Sequence, residues 1–213
     1  MNDYGENVTI FNHPLVMHKI AMLRDINTPS KMFRELISEI TALMTFECFK
    51  DVPTYETEIE TPMEKCMQIM VKEKSVAIIP ILRAGLGMVN GVHMLFPTAY
   101  VGHIGLYRDE QTLEPHQYYC KLPIGIEEKL CVLLDPMLAT GGSVVAAIDV
   151  LKKKGCTNIR LMSIIAAPEG IKKVLEKHQD VKIFIAACDR ELNKNGYILP
   201  GLGDAGDRMF GTK

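Results

Sequence analysis

The chain has 213 residues, of which 47% are hydrophobic and 23% charged, and its 24 basic and 26 acidic residues leave a net charge of −2. These proportions are typical of a globular protein with a sizeable core. No basic stripe favours a nucleic-acid partner, and no apolar run approaches the ~20 residues of a membrane helix. We therefore expect one continuous domain over residues 1–213, in the cytoplasm, with neither nucleic acid nor membrane as a partner.

The six cysteines are scattered, without a CxxC pair or a histidine at metal-ligand spacing. This spacing favours reduced, mostly buried thiols over a disulfide framework or a zinc site. The cysteines are Cys48, Cys66, Cys120, Cys131, Cys156 and Cys188.

The first predicted element is a helix with Thr28 as its N-cap and Pro29 at its first position, followed by apolar residues at helical spacing through Met44. From residue 76, short apolar runs alternate with helical patterns. The predicted strands are Val76–Leu82, Ala99–Leu106, Leu130–Leu134, Ile159–Ala166 and Ile183–Cys188, and the predicted helices are Leu86–Leu95, Gly142–Lys154 and Glu169–His178. Apolar strands separated by helices predict an α/β fold, with a mainly parallel sheet covered on both faces.

Residues 107–123 interrupt this alternation with a polar and aromatic segment that contains Pro115 and Pro123. An extended hairpin or flap that projects from the sheet fits the segment better than a helix does. Long loops in compact domains are often lids or binding loops.

A candidate phosphate-binding loop follows the strand Val132–Leu134, where Asp135 ends the strand and Ala139–Ser143 leads into a helix. Glycines at a helix start leave backbone N–H groups open to an anion, and the hydroxyls of Thr140 and Ser143 add to the attraction. The pattern is neither GxGxxG nor GxxxxGK[ST]. An ordinary capped turn would explain ATGGS alone, but a carboxylate at Asp135 can accept hydrogen bonds from ribose hydroxyls and so favours a phosphorylated ribose.

The run VLLDPMLATGGS resembles the signature of the type I phosphoribosyltransferases, which bind phosphoribosyl pyrophosphate. The resemblance implies their fold, with a central mainly parallel sheet, a protruding hairpin flap and a C-terminal base-binding hood. It also implies that the loop binds the 5′-phosphate and the acidic strand end binds the ribose. The implied ligands are Asp135, Pro136, Met137, Leu138, Ala139, Thr140, Gly141, Gly142 and Ser143. Most members carry two adjacent acids, whereas proline follows the acid here, and this DPMLATGG form is similar to the uracil branch.

Two arginines are implied as pyrophosphate ligands. Arg83 lies in PILRAGLG at a predicted strand end. Without the resemblance, a solvated charge at the strand end would explain this residue equally well. Its planar guanidinium suits a pyrophosphate. The resemblance implies a strained or cis peptide near Arg83–Ala84. It further implies that Arg108 in the flap contacts the pyrophosphate as the hairpin closes, which would exclude water that competes with the base.

Residues 195–211 are rich in glycine, and by composition they could also form a frayed C-terminal tail. The resemblance identifies them as the base-binding segment. Backbone groups of Ile198, Gly203, Asp204 and Ala205 would hydrogen-bond the uracil edge, while Asp204 faces the metal and the pyrophosphate. We interpret His13 as structural and Asp207 as the cap of a turn.

The implied reaction converts uracil and phosphoribosyl pyrophosphate to UMP and diphosphate in pyrimidine salvage, with Arg83, Arg108 and Asp204 as catalytic residues. Mg²⁺ would be held through substrate oxygens and water near Asp204, without direct protein ligands. Family members form homodimers or larger assemblies and some are activated by GTP, although no GTP site is recognisable in this sequence. Two alternatives remain: transfer to another base, and a nucleotide-sensing regulator of the same fold that binds RNA, which would require a basic stripe.

Overall fold

A computed structural model describes residues 4–108 and 115–212 of the chain. The strands are β1 Val8–Ile10, β2 Thr54–Glu60, β3 Lys65–Val71, β4 Val76–Leu82, β5 Tyr100–Val101, β6 His103–Arg108, β7 Pro115–Lys121, β8 Leu130–Leu134, β9 Met137–Leu138, β10 Ile159–Ala166, β11 Lys182–Cys188, β12 Glu191–Leu192 and β13 Ile198–Leu199. The helices are α1 Pro14–Arg24, α2 Ser30–Cys48, α3 Leu86–Leu95, α4 Gly142–Lys153, α5 Pro168–Lys177 and α6 Ala205–Phe210.

The central sheet has the strand order β1-β11-β10-β8-β4-β6-β7, with β5 beside β4 and β9 beside β10. Its neighbouring strands are parallel except for the antiparallel pair β6–β7. The chain leaves β4 towards β6 but leaves β8 towards β10, so the strand order reverses between these two strands. The carboxyl ends of β4 and β8 therefore form the crevice where ligands of such sheets bind. The predicted α/β fold with a mainly parallel sheet is confirmed.

The core consists of two apolar layers, one on each face of the sheet. In β8, Val132 and Leu134 face the layer that contains residues of α2 and α3, whereas Cys131 and Leu133 face the layer that contains residues of α4 and α5. All four side chains are completely buried. Burial on both faces explains why this strand has a continuous apolar run instead of an alternating pattern.

Helices α4 and α5 and strand β11 differ from their predicted limits by one residue. Two further predictions at element boundaries also differ from the structure. Thr28 is not the N-cap of α2: Pro29 occupies that position in an extended conformation, and no described side chain caps the helix. The Thr28 hydroxyl instead donates a 2.6 Å hydrogen bond to the carbonyl of Met22, so it is committed to the preceding turn. The predicted strand Ala99–Leu106 consists of β5 and β6, which are divided at Gly102, and β6 continues to Arg108.

Two hairpins extend this architecture. The predicted flap is confirmed as an antiparallel hairpin of β6 and β7 with a bulge at Gly105, while its tip, residues 109–114, lies outside the described residues. The hairpin of β2 and β3 was not predicted, and both of its strands are largely exposed.

All six cysteines lie in the described part of the chain and carry free thiols. Within residues 4–108 and 115–212, no helix is long and apolar enough to cross a membrane.

Candidate active site

Three adjoining cavities lie at the carboxyl edge of the sheet. The loop cavity, of about 70 Å³, is enclosed by Asp135 and residues 137–144. The hood cavity, of about 300 Å³, lies between Met137, Ala139 and the hood segment, which we define as residues 195–211. The outer cavity, of about 500 Å³, lies beyond the hood segment. Met137 and Ala139 line both the loop cavity and the hood cavity, so these two cavities are adjacent parts of one cleft.

The residues at the start of α4 line the loop cavity. Gly141 precedes the helix with φ +76°, and no described side chain caps the helix start. The first N–H groups of a helix lack acceptors within it and therefore attract anions. A side chain at residue 141 would be strained by this φ, and its Cβ would lie 2.9 Å from the carbonyl oxygen of Gly170. The geometry suits a single tetrahedral anion, with Thr140 and Ser143 also lining the cavity.

The carboxyl group of Asp135 borders the loop cavity at the end of β8. Its backbone is fixed by a hydrogen bond from the buried Ser163 hydroxyl to the Asp135 carbonyl, at 2.7 Å. The Met137 N–H donates a long hydrogen bond, 3.4 Å, to Oδ1 of Asp135. Burial raises the pKa of this carboxyl from 3.8 to about 7, and the weak bond from Met137 opposes the shift only in part. A ligand that offers hydroxyl donors would stabilise the ionised form.

Arg83 follows β4 and faces the hood segment. Its side chain is 59% exposed, and Nη2 lies 3.8 Å from Oδ1 of Asp207. The guanidinium also lies 5.9 Å from the ring centroid of Phe210. The cis peptide precedes this residue, at Leu82–Arg83, one bond earlier than the expected position near Arg83–Ala84.

The hood segment is ordered and ends in α6. Ile198 and Ala205 are buried, whereas Gly203 and Asp204 are exposed, and all four line the hood cavity. Asp204 caps α6, because its Oδ1 accepts a 2.9 Å hydrogen bond from the Asp207 N–H. The four residues predicted to bind the base are thus brought together around one cavity, and the alternative of a frayed tail is wrong.

Three further predictions concern single residues. The backbone of Arg108 ends β6, next to β4, but its side chain lies outside the described part of the structure. Nδ1 of His13 accepts a hydrogen bond from the Leu15 N–H, which caps α1 and confirms a structural role. The interpretation of Asp207 as a turn cap is incomplete, because its carboxylate accepts a hydrogen bond from Thr212 and also lies near Arg83.

Among the described residues, no three or more His, Cys, Asp or Glu side chains are grouped to hold a metal ion. Asp204 and Asp207 are the two acidic residues of the hood segment, and Asp207 lies 3.8 Å from Arg83. Carboxylate oxygens of this kind suit Mg²⁺, which commonly keeps several waters and takes only one or two protein carboxylates beside substrate phosphates.

Comparison with known proteins decides the family. The profile of the family described as uracil phosphoribosyltransferase matches residues 10–212. The chain belongs to the uracil phosphoribosyltransferase family. It is 59% identical over 202 residues to the uracil phosphoribosyltransferase of Clostridioides difficile, which covers 95% of this chain and 97% of that protein.

Solved structures show the fold. A protein from Aquifex aeolicus has a TM-score of 0.92 at 38% identity, covering 97% of this chain and 99% of that one. The adenine phosphoribosyltransferase of Trypanosoma brucei, in complex with AMP, pyrophosphate and ribose-5-phosphate, has a TM-score of 0.60 over 93% of this chain and 88% of that one. Because its identity is 11%, it shows the fold alone. The predicted type I fold is confirmed.

Membership in the uracil phosphoribosyltransferase family makes the chain an enzyme that transfers a pentosyl group. It therefore argues against the alternative of an RNA-binding regulator. Sequence reasoning placed four further residues of the hood cavity in the base-binding segment without naming them as ligands, and it did not single out Ala84; the four are Asn195, Gly196, Tyr197 and Gly206. Ala84 and Tyr197 stand directly beside predicted ligands, so proximity in the sequence was the signal that could have found them.

Proposed function

We propose that this chain transfers the phosphoribosyl group of phosphoribosyl pyrophosphate to uracil, giving UMP and diphosphate in pyrimidine salvage. One observation carries the proposal: the hood cavity adjoins the loop cavity at a helix start, and Met137 and Ala139 line both. A nucleoside monophosphate requires such a pair of sites at a short distance. The family and its curated relatives support uracil as the base.

In this proposal, Asp135 and residues 136–143 bind phosphoribosyl pyrophosphate. The N–H groups at the start of α4 and the hydroxyls of Thr140 and Ser143 hold the 5′-phosphate in the loop cavity. The Asp135 carboxylate accepts hydrogen bonds from the ribose hydroxyls. Holding both ends of the sugar phosphate aligns C1 of the ribose with N1 of the base, so positioning is the main catalytic contribution.

The C1–pyrophosphate bond breaks towards an oxocarbenium-like transition state when charge on the leaving diphosphate is neutralised. Arg83 suits this role, because its ion pair with Asp207 is long and its exposed side chain can turn towards an anion. Arg108 at the end of β6 would add a second guanidinium as the hairpin closes. Mg²⁺, held through water near Asp204, would supply further neutralisation of the diphosphate. Asp204 is the proposed carboxylate on the metal side, acting through water.

Uracil is proposed to bind in the hood cavity through the backbone groups of Ile198 and residues 203–205. Backbone N–H and carbonyl groups match the fixed donors and acceptors of uracil, and a tight pocket excludes the amino group of cytosine. A base of the wrong pattern would leave buried polar groups of the protein unpaired, which discriminates strongly.

The wider proposal is a single domain over residues 1–213 that acts in the cytoplasm as a homodimer or larger homo-oligomer. Self-association is supported by the β2–β3 hairpin, on which Tyr55, Ile59 and Met70 are 49%, 39% and 44% exposed. Activation by GTP belongs to the same proposal, on the basis of the family resemblance alone.

The deciding experiment incubates the purified chain with phosphoribosyl pyrophosphate, Mg²⁺ and one base at a time, and follows the nucleotide product by chromatography. Uracil, cytosine, orotate, adenine, guanine and hypoxanthine are compared, with and without GTP. We expect UMP from uracil and no nucleotide from the other bases. Efficient transfer to another base in place of uracil would contradict the proposal.

A paired variant tests the site within the same assay. Asp204→Ala should lower turnover of uracil by roughly tenfold or more, because it removes a carboxylate from the diphosphate side of the site. Asp180→Ala is the control, since Asp180 is exposed and pairs with Lys152, distant in sequence from every predicted ligand. Turnover by folded Asp204→Ala equal to that of the control would refute the role of Asp204.

A further inference from the structure

Residues 197–204 border two cavities. Tyr197, Gly203 and Asp204 line both the hood cavity and the outer cavity, and Pro200, Gly201 and Leu202 line the outer one. A segment with about 500 Å³ of open space on one side is not fixed by packing on that side. Polar contacts must therefore contribute to holding its backbone in place.

Arg24 and Asp189 supply such contacts at Gly201. Nη1 of Arg24 donates hydrogen bonds to Oδ2 of Asp189 at 2.8 Å and to the Gly201 carbonyl at 2.7 Å. Nη2 of Arg24 pairs with Oδ1 of Asp189. The Gly201 N–H in turn donates to Oδ2 of Asp189 at 2.8 Å. Both polar backbone groups of Gly201 are thus bound by one bidentate ion pair, the stronger kind of charge-assisted contact.

This ion pair is itself anchored to rigid elements. Arg24 is the last residue of α1, and Asp189 follows β11, where its N–H donates a 2.8 Å hydrogen bond to the Ala166 carbonyl at the end of β10. The Asp189 side chain is only 4% exposed and that of Arg24 is 23% exposed. Burial of this kind makes loss of either partner costly, because the other charge is left unpaired.

A second arginine holds the next residue of the segment. Nη1 of Arg208, in α6, donates to the Leu202 carbonyl at 2.8 Å and to the Leu23 carbonyl at 2.9 Å. The guanidinium lies over the ring of Phe33 at 4.5 Å. Gly201 and Leu202 are therefore both tied to the carboxyl end of α1, although they are 177 and 179 residues away from it in sequence.

We propose that Arg24 and Asp189 are positioning residues for uracil, because they fix the peptide groups of Gly201 and thereby the base-binding backbone on either side of it. The inference rests on the proposed function. Neither residue is among the described residues that line the hood cavity, so their effect on the base acts through the backbone of residues 198–203. Backbone recognition is sensitive to such displacement, since a shift of 1 Å can cost a large factor in rate.

The test measures KM for each substrate in Asp189→Asn and Arg24→Lys. Asparagine cannot accept the two guanidinium hydrogen bonds and the Gly201 N–H as a carboxylate does, and lysine lacks the planar fork. We expect KM for uracil to rise about tenfold, the order of effect for lost hydrogen bonds to a charged group. KM for phosphoribosyl pyrophosphate should stay within roughly twofold, because the loop cavity is untouched.

Asp51→Asn is the matched control. It removes a carboxylate from Arg160, whose Nη2 lies 2.6 Å from Oδ1 of Asp51 and whose side chain is 4% exposed. That ion pair lies near the amino ends of the strands, so both KM values should remain those of the parent. A merely structural role of Asp189 would lower thermal stability without separating the two KM values. Equal changes in both, or no change in either, would overturn the proposal.

Hydrogen–deuterium exchange provides a readout that does not depend on turnover. Mass spectrometry of the peptide that contains Gly201 should show exchange at least several-fold faster in both variants than in the parent, and no acceleration in Asp51→Asn. Unchanged exchange would contradict the proposal, and if Asp189→Asn does not fold, Arg24→Lys decides alone. A parent that does not convert uracil would refute the proposed function, whereas the exchange comparison would still test the contacts of Gly201.

Discussion

Asp135 ends β8 with a carboxyl group whose pKa burial raises from 3.8 to about 7. In the unfolded chain the group is ionised above its ordinary pKa, whereas the folded, ligand-free protein keeps the proton up to about pH 7. The native state therefore binds more protons between these values, and its free energy of unfolding falls as pH rises through this window. The site thus holds a destabilised carboxylate that ribose hydroxyl donors would stabilise.

Asp135→Asn removes the free-energy cost of ionising this buried carboxyl group. In the absence of ligand, we expect its Tm at pH 8 to exceed that of the parent by about 5 °C, and the difference to shrink as pH falls towards 4. Binding of phosphoribosyl pyrophosphate, measured by calorimetry at pH 8, should be weakened about tenfold or more, because an amide cannot accept from both hydroxyls.

Asp180→Asn is the control, and we expect it to change Tm at pH 8 in the opposite direction. The hydrogen bond from Lys152 lowers the pKa of the Asp180 carboxyl, so its contribution to stability is present at neutral pH and is lost as pH falls through the lowered pKa. Its replacement should lower Tm at pH 8 slightly. A shift of Tm in the same direction in both variants would contradict the destabilising effect of the Asp135 carboxylate.

Arg83 is expected to act through the geometry of its guanidinium. Arg83→Lys keeps the positive charge but loses the planar fork that binds a pyrophosphate with two parallel hydrogen bonds. Because the side chain is 59% exposed, stability should not change. Steady-state kinetics should show KM for phosphoribosyl pyrophosphate raised roughly tenfold. Arg190→Lys, another exposed arginine with a carboxylate neighbour in Glu191, should leave this KM unaltered.

At the scale of elements, the phosphate-binding loop depends on close contact with α5. A Cβ at Gly170 would lie 2.4 Å from the Ala139 carbonyl oxygen and 2.8 Å from that of Leu138. The first turn of α5 therefore supports the loop from behind, at a distance that only glycine allows. The conformation of the loop is thus set by an element that contributes none of the predicted ligands.

Gly170→Ala should reverse the usual benefit of alanine in a helix. Alanine ordinarily stabilises a helix by roughly 0.5–1 kcal/mol over glycine. Here the added methyl group must displace backbone, so we expect denaturant unfolding to show a loss of about 1–3 kcal/mol, with a raised KM for phosphoribosyl pyrophosphate. In Gly142→Ala, the nearest atoms to the new Cβ lie 3.8 and 3.9 Å away, and stability should be retained. Equal stability of both variants would contradict the contact.

Element boundaries could be predicted where one local signal dominates. The strands Val76–Leu82, Leu130–Leu134 and Ile159–Ala166 were predicted at their observed limits, because they are buried on both faces and bounded by turn residues. Motif residues of the candidate site were found because they stand together in the chain. The ion pair between Arg24 and Asp189 could not be predicted, since a contact across 165 residues leaves no local pattern.

The β2–β3 hairpin was missed for a different physical reason. The sequence of β2 alternates between polar and apolar residues, whereas β3 has apolar residues on both faces. Neither face of the hairpin packs against the core, so its apolar residues do not indicate burial. The register pairs Tyr55 with Met70 and Ile59 with Cys66. These residues, with Thr57 and Gln68 between them, form one face without a charged residue, whereas Glu56, Glu58 and Glu60 lie on the other.

At the scale of the whole molecule, we propose that this uncharged face packs against a partner. An isolated two-stranded hairpin is at best marginally stable in water, and contiguous exposed apolar surface often marks an interface. Tyr55 and Met70 are 49% and 44% exposed. A second copy of the chain is the partner consistent with the proposed homo-oligomer, and a closed symmetric pair would bury the same face of both hairpins.

Met70→Lys should dissociate the assembly, because it places a charge on the uncharged face and would bury it unpaired at the interface. Light scattering coupled to size-exclusion chromatography should then report one chain, where the parent reports two or more. Met67→Lys is the control, since Met67 is 58% exposed but lies on the other face of the hairpin, where it is paired with Glu58. It should retain the parent's mass. A monomeric parent, or equal masses for the two variants, would show that this face does not mediate association.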